Sequence, residues 1–136
     1  MNRALVTAIF LLGFTGCQLP PEQAALKPVP DDALPKTYAD LLTRARAQAE
    51  AANGAFYLNR WSTLEDAARG LGQTAERLAK ATDAPLKHRV KLTVEAGDLG
   101  LESAALLKAA QAQNEKQANE VMQRINLKVR ELRAED

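Results

Sequence analysis

One cysteine and one histidine leave this chain with few of the residues that chemistry usually recruits. A lone cysteine makes no intramolecular disulfide and no thiolate metal cage. With a lone histidine, any acid–base or metal role must run through His88 or through carboxylates. The 136 residues contain no nucleophile elbow, no phosphate-cradling glycine loop and neither HExxH nor Glu-x-x-His spacing. Charge of one sign is missing too: 18 basic residues stand against 17 acidic ones, a net +1, which supplies no field for nucleic acid. Aromatics make up only 4% of the chain. No apolar run approaches the roughly 20 residues of a membrane span. The expectation is a non-catalytic protein without a cofactor.

What is there begins at the N-terminus. Arg3 precedes an apolar run from Ala4 to Leu12, and Gly13 to Gly16 are mostly small. That layout predicts a secretory signal peptide over residues 1–16. The stretch "FTGC" then resembles the lipobox of bacterial lipoproteins, with Phe14 where that family usually has Leu. The resemblance implies cleavage after Gly16, lipid on the Cys17 thiol and usually a fatty acyl chain on its amine. Two chains hold a protein at a bilayer where one does not, each buried methylene contributing about 0.8 kcal/mol. Gln18, rather than Asp, after the cysteine implies export to the outer membrane, facing the periplasm. Loss of Arg3 with the signal leaves 17 basic against 17 acidic residues in a 120-residue mature chain, enough for one domain.

Residues 17–36 read as a lipidated cysteine and a tether. "QLPPEQAALKPVPDDALPK" holds five of the six prolines, at 20, 21, 28, 30 and 35. Proline lacks an amide donor and clashes in helix interiors, so an extended, largely unpacked segment is expected. In polyproline geometry it would reach up to about 60 Å.

From residue 37 to 136 the strong helix formers dominate. Apolar residues at three- and four-residue spacing predict four helices. The first spans about 37–52 and presents Tyr38, Leu41, Leu42, Ala45, Ala49 and Ala52, with Asn53-Gly54 as a left-handed stop. The second spans about 63–81 behind a Ser62-x-x-Glu65 capping box. The third, about 85–112, has Asp83 as cap, Pro85 in its first turn and a face of Val90, Val94, Gly97, Leu101 and Ala104, with Leu92, Leu99 and Leu106 alongside. The fourth, about 115–133, starts at Asn114-x-x-Gln117 and carries Ala118, Val121, Met122, Ile125, Val129 and Leu132. Opposite charges at i, i+4, such as Asp40 with Arg44, Arg46 with Glu50, Glu65 with Arg69 and Glu120 with Arg124, mark solvated faces. No stretch alternates with period two. The fold class expected is all-α, an up-down-up-down four-helix bundle.

A secreted bundle ending in "VMQRINLKVRELRAED" is similar in architecture to the cytochrome c′ family. In that family the last helix carries Cys-x-x-Cys-His for covalent haem. Here Ile125, Asn126, Leu127, Lys128 and Val129 occupy the corresponding positions, so that attachment is excluded. The resemblance leaves, as an alternative function, a haem or metal carrier with a noncovalent cofactor. Axial ligation would fall to His88 and Met122, which antiparallel helices place more than roughly 20 Å apart. The candidate metal set is His88 with Asp40 and Glu131, and with Glu135 beyond. A solvated histidine at a helix start is the preferred reading. Phe56, Tyr57 and Trp61 gather at the first inter-helix junction, either as a plug on the bundle or as a partner surface. The leading expectation is a lipid-anchored envelope module acting on an unidentified envelope protein. Mass spectrometry of the mature chain should find Cys17 as the N-terminal residue carrying lipid; an unmodified thiol there removes the anchor.

Overall fold

The computed structural model describes residues 27–132. Among the described residues four α-helices follow one another: α1 Tyr38–Tyr57, α2 Trp61–Ala79, α3 Leu86–Gln111 and α4 Glu115–Glu131. There is no strand among the described residues. Each helix packs on its sequence neighbours and α4 closes against α1, so the four form a ring around one core. This is the expected four-helix bundle. No helix among the described residues is long and apolar enough to cross a membrane.

The two tightest connections use the same device. Asn59 and Gln113 take the left-handed conformation, with φ of 54° and 50°. At the first, Arg60 N donates to Ala55 O (2.8 Å) and Asn59 N to Phe56 O (3.0 Å); at the second, Asn114 N donates to Ala109 O (2.9 Å) and Gln113 N to Ala110 O (3.0 Å). Both are Schellman closures, which satisfy the last carbonyls of a helix while turning the chain. The expected stop at Asn53-Gly54 is therefore corrected. Gly54 stays helical, since no glycine among the described residues has positive φ. Ala55 is buried and Phe56 packs on the core beyond it, and that burial outweighs the roughly 1 kcal/mol that a mid-helix glycine costs.

Two further caps differ from expectation. Helix α2 begins at Trp61, which places Ser62 inside its first turn, and Arg60 caps it with no side-chain bond. Ser62 is already helical and cannot serve as the cap. Asp83 caps α1 rather than α3: its two carboxylate oxygens accept from Tyr38 N at 2.9 and 3.1 Å. Pro85 precedes α3 without a side-chain cap. Thr37 closes the α1 start from the other side, accepting from Asp40 N (3.2 Å) and donating to the Asp40 carboxylate (2.6 Å). The Asn114 cap forms as expected, accepting from Gln117 N at 3.0 Å.

The tether expectation fails for its last ten residues. Leu34 is buried and Asp31–Ala33 form a 3-10 turn. The Gln73 side-chain amide grips the Val29 backbone twice at 3.1 Å, accepting from its N–H and donating to its carbonyl. Arg44 donates to Lys27 O (3.3 Å). Outside that turn, where Ala33 N donates to Pro30 O, bundle side chains supply backbone partners to the proline-rich chain.

The core is built from small and medium side chains. Leu41, Leu42, Leu64, Leu71, Leu78 and Ile125 fill its centre, while alanines line the seams. Between α2 and α3, a Cβ added at Gly100 would lie 3.8 Å from Ala75 Cβ, and one added at Gly72 3.9 Å from Ser103 Cβ. The small residues thus allow close helix approach, as expected.

Among the described residues, three polar ones are buried with the leucines: Gln48, Thr74 and Ser103. Thr74 Oγ1 lies 2.8 Å from the Gln48 amide oxygen and 3.0 Å from Gly70 O. Its single proton serves one acceptor at a time, and Gln48 Nε2 has no partner in this orientation. With the amide turned over, Nε2 donates to Thr74 and Thr74 donates to Gly70, which employs both donors. Ser103 donates to Leu99 O within its own helix (2.7 Å). Thr74→Val should cost about 1–3 kcal/mol by stranding the Gln48 amide. The double substitution with Gln48→Met should recover most of that loss in denaturant unfolding.

Candidate functional site

The sequence-derived site residues do not converge. His88 lies in the first turn of α3, half-buried, and its N–H donates to Pro85 O. The Asp40 carboxylate accepts from the Thr37 hydroxyl, and the Glu131 carboxylate lies 3.6 Å from Lys128 Nζ. No group of three or more His, Cys, Asp or Glu side chains among the described residues is arranged to hold a metal ion. Cys17 and Glu135, with the signal peptide and lipobox, lie outside the described residues. Met122, the other haem-ligand candidate, is buried in the core.

The aromatic corner divides. Phe56 and Trp61 pack on the core, with ring centroids 6.0 Å apart and edge to face. They act as the plug. Tyr57 leans on Phe56 at 5.7 Å but points outward, exposed together with Leu58. Of the three residues offered as a partner surface, Tyr57 is the exposed one.

The larger apolar surface lies elsewhere, on the helix whose inward face differs from expectation. Helix α3 carries two apolar stripes on opposite sides. Leu92, Ala96, Leu99, Ser103 and Leu106 face the core. The stripe expected to be buried, Val90, Val94, Gly97, Leu101 and Ala104, faces solvent instead. Val90 is 87% exposed, Val94 65% and Leu101 73%, and Leu86 continues the line at 76%. The leucine stripe offers more apolar area to bury, and burial scales with that area. Sequence spacing registers both stripes equally well, and Gly97 lies at the middle of the outer one. A methyl group added at Gly97 would meet no atom within 4 Å.

Beside this stripe lies a groove of about 550 Å³ between α2 and α3. Gly72, Ala75 and Ala79 line one wall, Gly97, Gly100 and Ala104 the other, with Gln73 at the edge where it grips Val29. On the far side of α3, ion pairs tie the helix to α4: Arg124 Nε to Glu102 (2.8 Å) and Lys128 Nζ to Asp98 (3.0 Å). The Asp98 hydrogen bond raises the Lys128 pKa. Arg124 thus pairs across helices, and Arg46 donates to Leu132 O at the end of α4 (3.3 Å). Glu65–Arg69, at 2.9 Å, forms as expected. Burial, and after it the nearby Glu95 charge, raises the Tyr38 phenol above its usual range.

No family model, curated protein or solved structure matches this chain. Trp61→Ala should lower stability by about 2 kcal/mol, since it removes part of the plug, whereas Tyr57→Ala should stay within about 0.5 kcal/mol of wild type. Thermal unfolding of the two variants checks this assignment.

Proposed function

We propose that this chain is a lipid-anchored envelope protein whose helical body works by contact rather than by catalysis. The observation that carries the reading is the outer stripe of α3, four large apolar side chains in line on a water-facing helix. Scattered apolar residues on a surface need no explanation, but a contiguous rimmed patch marks an interaction site. The patch lies on the longest helix of the bundle, 26 residues or about 39 Å in length.

The lipobox-like FTGC supports attachment through lipid at Cys17, and Gln18 favours the outer membrane, facing the periplasm. The intervening proline-rich segment supports a body held off the bilayer until Lys27, where the bundle takes the chain up. The balance of charge argues against nucleic acid as partner.

Photo-crosslinking side chains introduced singly at positions 94 and 101 of the full chain in its native envelope should capture a protein. The same group at Glu50, an exposed position on α1, should capture little. Equal labelling at all three positions would remove the interface assignment.

A further inference from the structure

We infer that residues 27–36 form a detachable strap: docked on the bundle it shortens the tether, and released it lets the body stand farther from the membrane. This rests on the reading of Cys17 as a lipid anchor and adds a device that sets the reach of the anchored body.

The strap is built to dock at little cost. Pro28, Pro30 and Pro35 restrict its free chain, so less conformational freedom is lost on docking. Pro30 and Leu34 have φ, ψ of −54°, 148° and −70°, 144°, which is polyproline geometry. Between two prolines, Val29 carries the one amide donor of its stretch. Gln73 accepts from that N–H and donates to the carbonyl of the same residue. The clamp therefore reads extended backbone rather than a side chain.

The strap is also built to open. Of residues 27–36, Leu34 is buried, Val29 and Pro35 are half-buried and the others are exposed. Leu34 stands outside the main hydrophobic core. The bond from Arg44 to Lys27 O is exposed and 3.3 Å long. The bonds of the 3-10 turn, Ala33 N to Pro30 O and Leu34 N to Asp31 O, lie within the strap and do not oppose its departure. A segment with few buried apolar contacts and exposed hydrogen bonds opens locally, before the domain unfolds. Peeling meets a stop at Tyr38, a buried residue whose N–H is held by both Asp83 oxygens.

Release changes the length of the tether. With the strap docked, ten residues separate Cys17 from Lys27, a span of at most about 35 Å. With it released, twenty residues separate Cys17 from Thr37, and the limit becomes about 70 Å. The point of exit moves as well, from the side of the bundle beside Arg44 and Gln73 to the start of α1. Tension between the body and the membrane favours the longer form and so shifts the population toward release.

The test uses the full lipidated chain. In micelles, the Val29 amide, followed by NMR, should exchange at least about tenfold more slowly than in an unstructured chain. That protection should vanish at urea concentrations that leave the Leu71 and Leu78 amides protected. Gln73→Met, at a half-buried position on α2, should abolish it and leave Leu71 and Leu78 unchanged. On vesicles, a dye on Glu50→Cys, at an exposed α1 position, should transfer energy to labelled lipid less efficiently in the Gln73→Met background. An unprotected Val29 in wild type, or protection lost only with the whole bundle, overturns the strap. If Gln73→Met frees Val29 while energy transfer stays the same, the change of reach falls and the anchored reading stands. If the chain carries no lipid at Cys17 and does not bind the vesicles, both fall.

Discussion

Helix α3 has two apolar stripes on opposite sides, and a helix in a four-membered ring can bury only one of them. The larger stripe, Leu92 with Leu99 and Leu106, goes inward because it removes more hydrocarbon from water. The rest of the surface follows from that choice. Turning Leu99 inward turns Gly97, Val94 and Leu101 outward, sets Glu102 and Asp98 within reach of Arg124 and Lys128, and opens the groove beside α2. The apolar face left in water and the face that seals the core are two sides of one packing decision.

The bundle is held together by narrow seams as much as by large core residues. Ala68, Ala75 and Ala96 bring α2 and α3 close, and Ala45, Ala49 and Ala52 do the same along α1. Close backbones leave little room for polar groups, which is why the buried Gln48, Thr74 and Ser103 are bonded locally or to one another. Elsewhere polar bonds stitch the rims. Asn53 and Asn126 exchange hydrogen bonds of 3.2 and 3.4 Å between α1 and α4. Asp83, in the loop before α3, caps the start of α1, 45 residues earlier. Such long-range caps tie the ends of the bundle together and raise the cost of opening any one helix alone.

On the proposed reading of a lipid-anchored chain, partners meet at high effective concentration, so a weak, well-directed surface suffices. The outer face of α3 fits that proposal. Its apolar residues are valines and a leucine flanked by charge, with glycine and alanine between them, which limits the exposed hydrocarbon while keeping the geometry for close helix approach. Gln73 and Arg44 hold the backbone of Val29 and Lys27 against the bundle, and Gln73 also lines the groove.

Local patterns alone determined a good deal: the helical character of residues 37–132, the number of helices, the Asn114 cap, and the inward faces of α1, α2 and α4. Each rests on interactions within a few residues, namely propensity, capping and three-to-four spacing. The lipobox-like segment is likewise a local signal, carried by Cys17 and its neighbours. The tertiary structure decided what local rules leave open. Helix α1 continues through Asn53-Gly54 because Ala55 and Phe56 find a core to join, and Asp83 turns to a helix that is near in space but distant in sequence. His88, Asp40 and Glu131, sharing only an expected bundle end, form no common site. Above all, the fold chose between the two stripes of α3, because periodicity shows that a face is apolar, and only the neighbouring helices show which face has something to meet.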